Sequence, residues 1–90
     1  MSVKVKLHPY LRKFTNGQAV VEAIGQTVGE CIDDLESRFP GIKGRLCDEK
    51  GNLLSVYDIC VNSHSSYPEA LTESVKDGDE LTIITLIAGG

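Results

Sequence analysis

The sequence predicts an α+β fold in which a mixed sheet of four to five strands rolls over one main helix. Three observations lead there. The chain opens and closes on "VKVKLH" and "LTIITL", which alternate apolar and polar residues or nearly so, the pattern of half-buried strands. Between them, "TVGECIDDLESRF" places its apolar residues at helical spacing. A helix with a single apolar face must lie on something, and a sheet is the economical partner. At 90 residues the chain is expected to be one domain, residues 1–90, with one modest core and no deep enzyme cleft.

The elements follow in order. Val3, Val5 and Leu7 alternate with Lys4, Lys6 and His8, a strand with one wet face. Pro9 ends it, because proline cannot donate to a sheet ladder. "YLRKFTNGQ" reads as a loop with a tight turn at Asn16-Gly17. "AVVEAI" is a second strand with Val21 and Ala23 on the core side, so the chain begins as a hairpin. Thr27 is the expected helix N-cap, and Glu30 completes a capping box. Val28, Cys31, Ile32, Leu35 and Phe39 form the apolar stripe, and Pro40-Gly41 ends the helix. Ile42 and Leu46 are expected to close over its C-terminal end.

"DEKGN" at 48–52 is a turn. "VYDICVN" alternates again, with Tyr57, Ile59 and Val61 on one side and Asp58, Cys60 and Asn62 on the other. "SHSSYPEALTESVKDGDE" is loop-rich and anchored by Leu71 and Val75. Asp77-Gly78-Asp79 turns the chain into a last strand, Glu80 to Leu86, with Leu81 and Ile83 facing the core. The order β-β-α-β-(short β or turn)-β with one helix is that of a β-grasp, or ubiquitin-like, roll. Its first and last strands are expected to be parallel neighbours at the centre.

Composition excludes several functions. Nine Lys and Arg against thirteen Asp and Glu leave a net charge of −4, which argues against nucleic acid and favours a basic protein surface as partner. Three cysteines, Cys31, Cys47 and Cys60, fit neither a zinc site nor a disulfide framework, so reduced thiols in the cytoplasm are expected. Cys31 packs in the core, Cys47 falls in a loop where exposure is expected, and Cys60 has outer-face parity. The start reads as a strand, not a signal peptide, and no apolar run is long enough to span a membrane.

Asp33, Asp34 and Glu36 read as a solvated helix face, and His8 and His64 as surface residues. "DGDE" at 77–80 is a turn that lacks the later ligands of a calcium loop. No metal site, cofactor site or catalytic constellation is expected in the body of the chain. What remains is its end. Thr82, Ile84 and Leu86 point away from the core, so the outer face is more apolar than solubility needs. A covering loop, a self-association patch and a docking surface all fit. Gly89-Gly90 has no side chains to clash, so it can thread a narrow channel and leave its carboxylate open to attack.

Together these segments resemble the MoaD/ThiS family of ubiquitin-like sulfur carriers. The likeness spans the chain, through "VKVKLHPYLRKFT", "TVGECIDDLESRFPGI", "ICVN", "VKDGDELTI" and "AGG". "PGIKGRLCDEKGNL" and "TLIAGG" are most similar to the CysO-type carriers of cysteine synthesis. Small subunits of molybdopterin synthase often have prolines where this chain has Thr85-Leu86, and thiamine-pathway carriers are usually shorter.

The resemblance implies a carrier and substrate of other enzymes, with a flexible Gly-Gly tail and no active site of its own. A ubiquitin-activating-type adenylyltransferase/sulfurtransferase, using its own ATP and Mg²⁺, would adenylate the Gly90 carboxylate and convert it to a thiocarboxylate. Gly89 and Ala88 would thread the partner's channel, and Ile84, Leu86 and Ile87 would dock. The sulfur acceptor would be a pyridoxal-phosphate-dependent cysteine synthase, with a metalloprotease releasing the product. The alternatives are a molybdopterin synthase large subunit as acceptor, a protein modifier joined to lysines, and a plain interaction domain.

Overall fold

In the computed structural model the opening alternation forms β1 (Val3–Lys6), with Val3 and Val5 buried and Lys4 and Lys6 exposed. It pairs antiparallel with β2 (Val20–Ala23), Val5 opposite Val21. The structure describes residues 2–86. Ile87, Ala88, Gly89 and Gly90, which the sequence reading assigns to docking, threading and activation, lie outside the described residues.

The connection expected as a loop is wound, in part, into a 3₁₀ helix, Pro9–Thr15. Proline's fixed φ suits a first helical turn, and His8 Nδ1 accepts the N–H of Tyr10. The winding turns Leu11 fully into the core. Asn16 and Gly17, at φ 55° and 84°, then reverse the chain.

The main helix, α1 (Val28–Arg38), is capped as expected: Thr27 Oγ1 accepts the N–H of Glu30 at 3.1 Å. The Glu30 carboxylate reaches back to the N–H of Gln26, one residue before the usual capping-box partner. Val28, Cys31, Ile32 and Leu35 are buried, and Phe39, the C-cap, packs half-buried against them. Gly41, at φ 103°, starts α2 (Ile42–Leu46), which buries Ile42 and Leu46 completely over the end of α1. Such a φ favours glycine.

The acidic residues of α1 occupy its outer face, yet each has a fixed task. Glu36 accepts the N–H groups of Gly41 and Lys43, capping the start of α2. These two amides, Gly41 first, hold its carboxyl below the usual range. Asp33 pairs with Lys43. Asp34 accepts the N–H of Ile24 and pairs with Arg38, which also donates to the carbonyl of Glu22. Two side chains of α1 thus occupy backbone groups of edge strand β2 and of Ile24 just after it, where a bare strand invites pairing with another chain.

The remaining strands are β3 (Tyr57–Val61), β4 (His64–Ser65) and β5 (Glu80–Thr85). The sheet order is β2-β1-β5-β3-β4, with β1 and β5 parallel at the centre. This is the expected β-grasp roll, and the "short β or turn" is the two-residue β4. β5 ends at Thr85, one residue before the expected limit, although the N–H of Leu86 still donates to the Val56 carbonyl at 2.7 Å. Val75 is buried and Leu71 half-buried, both as expected. Leu71 belongs to a 3₁₀ turn, Ala70–Thr72, that presses on α1 at Gly29. A Cβ at Gly29 would sit 3.0 Å from the Leu71 carbonyl oxygen.

Cys47 corrects the sequence reading. It was expected to be exposed in a loop, but it is 6 % exposed. An isolated bridge to Leu53, with its N–H donated to Lys43, folds it under α2.

Candidate functional site

The candidates for chemistry in the described residues are three thiols, two histidines and the carboxylates of the turn before β5. Burial, then the charges of Asp34 and Glu30, push the Cys31 thiol up to about 11. Cys47 is raised chiefly by burial, and Cys60 by burial and then Asp58. A nucleophilic cysteine needs the opposite shift. His8 packs against the Tyr10 ring at a tilt of 60°, and His64 is exposed in β4. Asp79 locks the turn before β5: its carboxylate accepts the Asn62 side-chain amide at 2.9 Å and the Lys76 N–H at 2.9 Å. Asn62, in that order of effect, and Lys76 hold the Asp79 carboxyl below its usual range. No group of His, Cys, Asp and Glu suited to a metal ion exists among the described residues. No helix among them is long and apolar enough to cross a membrane.

The distinctive surface is the outer face of β5. Leu81 and Ile83 point inward, at 1 % and 2 % exposure, while Ile84 and Leu86 are 36 % and 62 % exposed. Among the described residues both side chains are therefore at least partly accessible. Across the sheet, Ile84 stands opposite Asp58 and Thr82 opposite Cys60. The far end of the same face is polar, with Lys6 and Glu80 paired at 3.2 Å. The face therefore grades from charged at the start of β5 to apolar at its end.

The exit itself is anchored. The Val56 carbonyl receives both the Leu86 N–H and the Thr85 hydroxyl, the latter at 3.2 Å. Sequence reasoning named Ile84 and Leu86 but missed Val56, whose contribution is a backbone oxygen and so leaves no trace in residue type. It also missed a cleft of about 710 Å³ beside Leu86, between segments 52–58 and 65–72. The cleft is open to solvent, and Asp58 in its wall is engaged with the Ile59 N–H and the Ser65 hydroxyl.

Fold and surface together define the class: a ubiquitin-like β-grasp domain whose apolar outer face adjoins the exit of its last strand. The ThiS family model matches residues 5–90. Sulfur carrier protein CysO of Mycobacterium tuberculosis (strain ATCC 25618 / H37Rv) is 39 % identical over 93 residues that cover 100 % of both chains. A chain in the crystal structure of the Amycolatopsis orientalis BexX/CysO complex is 45 % identical, with a TM-score of 0.89 over 98 % of this chain and 99 % of that one. SAMP1 from Haloferax volcanii is 27 % identical, with a TM-score of 0.83 over 100 % of both. The chain belongs to the ThiS family.

Proposed function

We propose that this protein is a sulfur carrier serving cysteine synthesis, and that it acts as a carrier and substrate of other enzymes. The observation that carries this reading is the exposed pair Ile84 and Leu86, leading into "IAGG" in a chain that matches sulfur carrier proteins end to end. Gly90 supplies the reacting carboxylate. A ubiquitin-activating-type partner, with ATP and Mg²⁺ in its own site, joins AMP to that carboxylate and releases pyrophosphate. Sulfide then attacks the acyl carbon and expels AMP, leaving a thiocarboxylate; a persulfide donor gives an acyl disulfide instead, whose S–S bond a second thiol of the partner reduces to release the thiocarboxylate. The terminal sulfur is a soft, anionic nucleophile that attacks an aminoacrylate held by a pyridoxal-phosphate enzyme. The product is cysteine joined to Gly90, and a metalloprotease hydrolyses that bond, freeing cysteine and restoring the Gly90 carboxylate.

The described residues support the division of labour. Ile84, at the end of the sheet, and Leu86 just after it are exposed and dock together with Ile87, while Ala88 and Gly89 are the residues that thread into the partner. The test is the intact mass of the untagged protein after incubation with extract of its host, ATP and sulfide. Exchange of one oxygen for sulfur, localised to the peptide that ends in Gly90, is the expected result. An unchanged mass with no adenylate would overturn the proposal. Likeness to SAMP1, the small archaeal modifier protein 1, favours one second reading, a modifier joined to lysines. Lysine-linked conjugates in place of thiocarboxylate would establish it.

A further inference from the structure

The cleft beside Leu86 has no role in the chemistry above. Its lining is largely apolar and includes Leu53, Leu54, Tyr57, Leu71 and Leu86. Two carboxylates, Asp58 and Glu69, also line it, and no lysine, arginine or histidine does so among the described residues. Tyr67 adds an aromatic side chain that is 81 % exposed. Exposed aromatic rings beside an apolar hollow are typical of surfaces that bind other proteins. The Asp58 charge is held in place, because Oδ1 accepts the Ile59 N–H at 2.8 Å and Oδ2 the Ser65 hydroxyl at 2.7 Å.

We propose that this cleft is the docking pocket for the enzyme that adenylates the tail, and that it takes an apolar side chain of that enzyme flanked by lysine or arginine. The inference rests on the carrier reading and names the surface by which its first partner is held. Charge is one argument: apolar walls with two carboxylates complement a basic, apolar segment and repel an acidic one. Reach is the other. Leu86 is part of the cleft wall, and the four residues 87–90 span at most about 14 Å. An enzyme that holds Gly90 in its active site must therefore place its own surface close to this cleft.

The ¹⁵N-labelled full chain is titrated with the blocked peptide Lys-Leu-Lys-Leu-Lys and, separately, with Glu-Leu-Glu-Leu-Glu. Shifts with the lysine peptide are expected to concentrate in the amides of 53–58 and 65–72, with the glutamate peptide at least about tenfold weaker. Glu69→Lys and Tyr67→Ala should weaken lysine-peptide binding at least about fivefold at unchanged melting temperature. No shift at those amides, an equal response to both peptides, or unaffected variants would each overturn the proposal. Loading of the wild-type chain in host extract is read in parallel. Loading without peptide binding overturns the pocket alone. Peptide binding in a chain that never loads overturns the carrier reading, and with it the adenylating enzyme as occupant.

Discussion

Ile84 and Leu35 are both branched aliphatic residues, yet substitution at one tests docking and at the other stability. Ile84 faces outward on β5, so Ile84→Asp should cost about 1 kcal/mol or less in stability. It should strongly weaken capture by the activating enzyme, read by surface-immobilised binding alongside a melting curve. A collapse of the melting temperature would place Ile84 in the core instead. Asp79 gives a prediction in pH. Its folded-state pKa lies below the ordinary value of about 3.9. The stability it contributes is therefore present above that value and lost as pH falls through the lower, folded one. Denaturant midpoints measured down the acid limb should fall less steeply in Asp79→Asn than in the wild type. At this scale the sequence showed which face a residue occupies but not what it meets there. Asp34 and Glu36 sit where helical spacing puts them, but their partners, Ile24, Gly41 and Lys43, belong to other segments. Cys47 was misread for the same reason, since its burial depends on a bridge to Leu53.

At the scale of elements, α1 was the most legible part of the chain because cap, stripe and stop signal agree. Leu35 is fully buried in it, and Leu35→Ala should cost roughly 2–5 kcal/mol by cavity formation. Thr27→Ala removes the acceptor for the Glu30 N–H and should cost about 1 kcal/mol. Urea unfolding followed by circular dichroism measures both, and equal costs at the two sites would contradict the packing described. The short pieces were less legible. The two 3₁₀ segments and α2 span too few residues to show a period, and they form because Leu11, Ile42, Leu46 and Leu71 find room against an existing core. The covering of the β2 edge by Asp34 and Arg38 was invisible for a related reason: it joins elements that only the folded chain brings together.

For the whole molecule, the parallel centre of the sheet was readable because a single long helix leaves few ways to close the roll. The cleft was not, because it draws on Leu53, Asp58, Ser65, Glu69 and Leu86, which no local pattern links. Removing Gly89 and Gly90 should leave the melting temperature unchanged and abolish sulfur loading, since the core draws on residues from Val3 to Ile83. Calorimetry paired with intact-mass measurement checks both halves. The position of β5 has one more consequence. It is gripped along both sides, by β1 and by β3, and a pull on its C-terminal end along the strand runs parallel to both. Tension on the tail therefore loads two ladders of hydrogen bonds at once, in shear, instead of peeling them apart one by one. An enzyme can haul on the last residues, or a closing active site can wrench them, and the body resists as a handle resists a pull along its grain.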